Sequence, residues 1–297
     1  MDGFTHVLSG FVIGNLISLN NWTLILFTII ASLIPDIDIL LAIFEDKHYI
    51  KHHRNITHGP LGIIILAGIL SYIFSFFIKD FITLFVIAVF TIVVHIALDL
   101  TNAYGTRILS PFKEKLYALD ILPETDPWIY LMLIGVSVVF IFFKDYARIA
   151  EFCFLISFVF YLLLRVIFYI LAYNQIRKYY KKTNFYLDPT RLNPLTFRVI
   201  LIRGADYKTF YYNIITCRES DIEKFKKIQA KMKKFLKTAE LPRIYLKFSK
   251  FPIVKQNNRG KGRLMLVDVR FINNGKKSLF VNIFTKNKKI KKSELKY

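Results

Sequence analysis

The sequence predicts an all-α polytopic membrane bundle of five to six membrane segments, the first either re-entrant or crossing, followed by a small basic α+β domain. Three observations predict it. Apolar runs of near-spanning length recur through residues 1–174, more than a soluble core needs in a chain of 297 residues that is 54% hydrophobic. Charge then divides the chain. Residues 1–174 carry 10 Lys/Arg against 13 Asp/Glu and residues 175–297 carry 32 against 8, so the formal net charge of +21 sits in the second part. Lastly, stretches rich in β-branched and aromatic residues alternate with a helical pattern inside that basic part.

The elements follow in order. Residues 7–19 are apolar but shorter than the roughly 20 residues of a full span. Residues 24–44 make a fuller segment, interrupted near its end by Pro35, Asp36 and Asp38. Two carboxylates inside an apolar segment are costly unless neighbours or a cation satisfy them, and a proline weakens the helix ladder there. Residues 61–78 and 81–98 form two further segments joined by a turn at Lys79 and Asp80. A hydrophilic stretch, 101–127, contains Asn102, Gly105, Arg107 and Pro111. Residues 128–143 and 152–173 complete the membrane domain, with Trp128 and Tyr130 suited to an interface and Arg165 inside the last segment. The membrane domain is thus 1–174 and the basic domain 175–297. In the latter, strands are expected over 197–202, 207–216, 264–272 and 279–285. A helix is expected over 220–238, where Ile222, Phe225, Ile228, Met232 and Phe235 share one face, and the last ten or so residues are expected to fray. Cys153 and Cys217 are too few and too far apart for a disulfide framework or a cysteine metal site.

The flank Arg177, Lys178, Lys181 and Lys182 places the basic domain in the cytoplasm by the positive-inside tendency. Counting back through the segments brings the loops 45–60 and 99–127 to that same side. Those loops and their flanks hold the chemistry. All six histidines, His6, His48, His52, His53, His58 and His95, lie before residue 96. Imidazole and carboxylate together suit a divalent transition metal, zinc first, with manganese or iron as alternatives. The candidate ligands are His6, Asp36, His53, His58, His95 and Asp99. His95 and Asp99, four residues apart, share a helix face. Seven plausible donors, counting Asp38, exceed the need of one ion, so two ions sharing a bridging aspartate are also compatible. Asp38 is a ligand or a general base, and Arg54 and Arg107 are candidates to steady an anionic group. His48 and His52 fit interfacial places, and Thr57 and Asn102 fit supporting ones.

These residues also carry a resemblance. Thr5-His6, Pro35-Asp36-Ile37-Asp38, His53-Arg54-Asn55-Ile56-Thr57-His58, His95 with Asp99, Gly105 and Ser110-Pro111 resemble the YdjM-type membrane-bound metal-dependent hydrolases. Leu192-Asn193-Pro194 and Val267-Asp268-Val269-Arg270-Phe271 are similar to that family's soluble extension. The resemblance implies a multi-pass protein of the cell membrane with a metal site and hydrolytic activity.

The expected function is therefore metal-dependent hydrolysis of an ester or phosphoester, on a lipid-like substrate at the cytoplasmic membrane surface. A metal or proton transporter is the second reading, since Asp36 and Asp38 lie within a segment. A membrane scaffold is the third, its basic domain meeting anionic membrane lipids. No nucleic-acid motif is present, which argues against that partner.

Overall fold

Four polar side chains start helices by capping their first N–H groups. Asp2 accepts from Phe4 and Thr5 at the start of α1 (Gly3–Ile17), and Asn21 from Leu24 at the start of α2 (Trp22–Leu33). Asp80 accepts from Thr83 in α4 (Phe81–Leu100), and Asp126 from Trp128 and Ile129 in α5 (Pro127–Phe142). α3 (Pro60–Phe74) instead begins with proline at a first-turn position, where its missing N–H leaves nothing unsatisfied. α6 (Ala147–Tyr179) follows a single turn of 3₁₀ helix. The computed structural model describes residues 1–43, 56–113, 115–256, 262–273, 276–277, 279–286 and 289–296. His48, His52, His53 and Arg54 lie outside the described residues.

These caps and stops correct the expected five to six spans. Among the described residues only two helical stretches are long and apolar enough to cross a membrane, α4 and the stretch Lys144–Tyr179 that contains α6. α1, α3 and α5, with 15, 15 and 16 residues, reach about 22–24 Å, short of a hydrocarbon core of about 30 Å. α2 stops after 12 residues because the chain turns into a 3₁₀ helix, Ile34–Ile43, at Pro35. The apolar composition was legible; where the helices end was not.

Two apolar clusters hold the helices. Leu24, Phe27, Ala31, Ala67, Leu70, Leu84, Ala88 and Ile92 join α2, α3 and α4. Val12, Leu122, Ile129, Leu133, Val136 and Tyr161 join α1, α5 and α6. α1 and α2 approach with little between them. A Cβ at Gly10 would lie 2.7 Å from the Ile29 Cα, and one at Gly14 2.7 Å from the Ile25 Cα. This small-x-x-x-small spacing lets backbones meet where lipid supplies no hydrophobic drive.

α6 has 33 residues, about 50 Å, and so outruns a bilayer core. Its earlier turns leave Phe152, Ile156, Val159, Phe160 and Leu163 bare, while Ala172 and Ile176 near its end are covered by a sheet. That sheet is the antiparallel meander β1 (Asn184–Pro189), β2 (Thr196–Arg203), β3 (Asp206–Asn213) and β4 (Arg218–Lys226). Leu187, Phe197, Val199, Leu201 and Phe210 face α6. On the other face Ile200, Tyr207 and Phe225 meet Ile253 and Val267 of a second sheet, with Phe251 just before it and Ile272 of a separate two-stranded pair. The second sheet has the order β10-β9-β6-β5, with β5 Pro252–Gln256, β6 Arg263–Asp268, β9 Phe280–Lys286 and β10 Lys289–Lys296; Ile272–Asn273 and Lys276–Lys277 (β7, β8) pair apart from it. α7 (Ala230–Leu236) and α8 (Glu240–Phe248) cover its far side through Leu236, Leu241 and Tyr245. The C-terminal part is therefore an α+β sandwich. Two local expectations fail in it. Residues 220–226 extend as β4, pairing with β3 across Tyr207↔Phe225, rather than opening a helix. Residues 289–296, expected to fray, pair along β9.

The segment between α4 and α5 ties the two parts together. Asp120 accepts from the Tyr186 hydroxyl at 2.5 Å and pairs with Lys250 Nζ at 3.4 Å. Arg270 Nη1 donates to the Ala103 carbonyl at 2.8 Å, and the rings of Tyr104 and Phe271 lie 5.0 Å apart. Asp268 anchors Arg270 from Nε and Nη2 and also accepts from Ser249 and Lys250. Burial alone would raise the Asp268 carboxyl, but the Arg270 guanidinium outweighs it and holds the group below the usual range.

Two predictions follow from this packing. Gly10→Val should overpack the α1–α2 contact and lower stability by about 1–3 kcal/mol; thermal unfolding in detergent checks it, and an unchanged midpoint would refute the close approach. Asp188, on β1, is pushed up to about 6 by burial, against the pull of Arg198 and Arg270. Its folded pKa lies above the unfolded one, so folding favours the protonated form and stability from this group falls as pH rises from about 4 to about 6. Wild type should therefore lose roughly 2 kcal/mol relative to Asp188→Asn between pH 4.5 and 7.5. Paired denaturation curves at pH 4.5 and 7.5 measure the difference.

Candidate metal centre

The stop of α2 sets the centre. Because the chain leaves α2 at Leu33 and tightens into the 3₁₀ helix, Asp36 turns back toward α4. There His95 and Asp99 stand one turn apart on the buried face, both fully inaccessible. His58 closes a 3₁₀ turn, Ile56–His58, just before α3, and is equally buried. One donor atom from each of Asp36, His58, His95 and Asp99 lies within 4.8 Å of all the others. His58 Nε2 is 3.5 Å from Asp36 Oδ1 and 3.4 Å from Asp99 Oδ2. His95 Nε2 is 3.8 Å from Asp36 Oδ1, 3.7 Å from Asp99 Oδ2 and 3.3 Å from His58 Nε2.

Hydrogen bonds at the far side of each ring decide which nitrogen carries the proton. His95 Nδ1 lies 2.7 Å from the Ser32 carbonyl, which can only accept, so Nδ1 is the donor. In the neutral ring Nε2 then presents a lone pair. His58 Nδ1 lies 3.0 Å from Thr57 Oγ1, whose single proton goes to Asp38 Oδ2 at 3.3 Å. Thr57 must accept from His58, and the His58 Nε2 is likewise a lone pair. Two imidazole lone pairs and two carboxylates thus meet at one point as acceptors. Asp36 Oδ1 is buried there without a hydrogen-bond partner. Acceptors crowded this closely are the arrangement a cation resolves. This donor set fits a divalent metal and can hold one.

The neighbours of Asp99 fill its other oxygen. His6 Nε2 lies 3.3 Å from Asp99 Oδ1, the α-amino group of Met1 also reaches that oxygen, and the His6 ring stacks on His95 with centroids 3.8 Å apart. His6 therefore borders the four-residue group without belonging to it. Asp38 is buried but stands behind Thr57 rather than among the four. Arg107 lies beside the Thr106–Tyr117 bridge, where its carbonyl accepts from Ser110. Asn102, fully buried, accepts from Tyr104 and Gly105 and shapes the turn after α4. Sequence reasoning missed Ser32. Its carbonyl orients His95, and its hydroxyl donates to the His6 carbonyl at 2.7 Å and lies 3.2 Å from Ser9 Oγ. The signal was present: Thr28 and Ser32 are spaced i, i+4 on a largely apolar helix that ends beside Asp36.

Residues 1–175 match the family model described as YdjM inner membrane protein. The chain belongs to this family. The match covers every helix that supplies the centre, and it makes this a protein of an inner membrane family. The chain is also similar to the Uncharacterized protein YfhP of Bacillus subtilis (strain 168), 30% identical over 142 residues, which are 44% of this chain and 43% of that protein. The chain thus spans less than half the length of this curated relative. No solved structure matches it.

In this YdjM-family chain Thr57 acts on the centre through His58. Thr57→Val keeps the shape and removes the hydroxyl, and should weaken metal binding about 10–100-fold. Competition with a chromophoric chelator measures this, and unchanged affinity would show that the ring orientation does not depend on Thr57.

Proposed function

We propose that the protein is a membrane-bound, metal-dependent hydrolase acting on an ester or phosphoester of an amphiphile at the cytoplasmic membrane surface. The observation that supports it best is the buried convergence of Asp36, His58, His95 and Asp99 beside the last turns of the long apolar helix α4. Two imidazoles and two carboxylates suit zinc, with manganese or iron as alternatives. Bound there, the ion would acidify water and polarise the scissile group near neutral pH.

The chain's own residues supply the rest. Ser32 and Thr57 keep the His95 and His58 rings aimed inward. Met1 and His6 take up the Oδ1 side of Asp99, leaving Oδ2 toward the two imidazoles. Asp38 draws on the Thr57 hydroxyl and so makes His58 a better donor, a positioning role in place of a general base. Arg54 and Arg107 are the cations proposed to meet an anionic head group. The 32 Lys/Arg of residues 175–297 support a cytoplasmic basic domain in contact with anionic lipid.

Elemental analysis of the purified full chain, with hydrolysis of a panel of lipid esters and phosphoesters, tests the reading. About one or two transition-metal ions per chain are expected. His58→Ala and Asp36→Asn should lose the metal and about a hundredfold or more of any hydrolysis. Protein that purifies metal-free, or hydrolysis unaffected by both substitutions, would sink the proposal. Metal uptake into sealed vesicles without hydrolysis would favour a transporter.

A further inference from the structure

A cleft of about 580 Å³ opens where the sandwich meets the segment between α4 and α5. Its volume is in the range of small-molecule sites, roughly 300–1,000 Å³. Its floor is a cross-strand row on the inner face of the first sheet. Asp188 on β1 pairs in register with Arg198 on β2, and Arg198 with Tyr211 on β3. The rest of that face is the apolar contact of Ile200, Tyr207 and Phe225 with the second sheet. Packing alone therefore does not explain a carboxylate and a guanidinium at its end.

Arg198 is 6% exposed, and its Nη1 donates to the Arg270 carbonyl at 3.1 Å, which fixes the plane of the guanidinium. Asp188 beside it is the acceptor. One wall is aromatic, Tyr104 against Phe271, and Tyr211 extends the aromatic surface along the floor. At the mouth stands Arg191. Its link to Glu124 is 3.7 Å long between side chains that are 62% and 36% exposed. Such a surface pair is weak and is readily exchanged for a stronger anion. Arg270 is different, being held by Asp268 and by the Ala103 carbonyl. The site thus offers, from floor to mouth, one fixed donor with an acceptor beside it in register, flat π surfaces, and one loosely held cation.

A planar ring with adjacent donor and acceptor groups on its edge satisfies the floor. Stacking on aromatic side chains satisfies the wall, as it does for nucleobases generally. A phosphate satisfies the mouth, since guanidinium matches its geometry. We propose that this cleft binds a nucleoside monophosphate, with the base against Tyr104 and Tyr211, its edge read by Arg198 and Asp188, and its phosphate at Arg191. The site is distinct from the four-donor centre and does not depend on the hydrolase reading.

Equilibrium dialysis of the full chain in detergent with labelled AMP, GMP, CMP and UMP tests it, with adenosine and inorganic phosphate as competitors. Saturable binding of at least one nucleotide is expected. Tyr104→Leu and Arg198→Gln should each weaken it about tenfold or more, and the surface change Arg191→Gln by several-fold. Adenosine should compete weakly and inorganic phosphate hardly at all. Asp36→Asn should leave nucleotide binding intact while removing metal, which separates this site from the other. Because Arg191 is exposed, its variant folds whether or not Arg198→Gln does. The proposal is overturned if no nucleotide saturates at millimolar concentration, if inorganic phosphate competes as well as the nucleotide, or if Arg191→Gln and Tyr104→Leu bind like wild type.

Discussion

Two carboxylates and two imidazole lone pairs cannot share a buried point unless positive charge joins them. In an interior of low effective dielectric their mutual repulsion and lost hydration both oppose the arrangement. Every nearby element serves to hold that arrangement in place. The Ser32 carbonyl and the Thr57–Asp38 pair take the outward protons of the rings. His6 and Met1 take one oxygen of Asp99 and leave the other facing inward. A protein that needed only a stable helical bundle would place leucines there, because a buried ionic group broken on one side is strongly destabilising.

The close approach of α1 and α2 belongs to the same constraint. Gly10 and Gly14 let the two backbones touch, which carries the His6 carbonyl onto the Ser32 hydroxyl. Ser32 in turn fixes His95 on α4. Three helices are thus registered by polar contacts that begin at two glycines. The apolar clusters on either side supply packing, but apolar contacts between helices in lipid are tolerant of sliding, whereas a hydrogen bond of 2.7 Å is not.

Legibility in the sequence followed the range of the interaction. Residue type and short spacing pointed to His95 with Asp99, to His58 and to Asp36, because imidazole and carboxylate in apolar surroundings have few purposes. The division into an apolar and a basic part was equally plain from charge. Helix ends were not. Hydropathy over residues 24–44 reads as one segment, yet Pro35 and the Asn21 cap leave α2 only 12 residues. Residues 220–226 show helical spacing in Ile222 and Phe225, but Phe225 packs inward opposite Tyr207 and the strand wins. Tertiary pairing overrode a local pattern there, and residues 289–296, expected to fray, pair along β9. Ser32 was hidden for another reason: it acts mainly through its carbonyl, which every residue possesses.

The basic domain is more than an appendage to the helices. Four residues separate Asp99 of the centre from Tyr104 of the cleft wall. Within them Asn102 is fully buried and ties down the N–H groups of Tyr104 and Gly105. The Ala103 carbonyl is held by Arg270, and Arg270 is oriented by Asp268, which also gathers Ser249 and Lys250. A displacement of the sandwich would therefore pull on the turn that ends α4, one turn beyond a donor of the candidate centre. These hydrogen bonds, made between buried partners, fix where the basic domain sits against the end of α4.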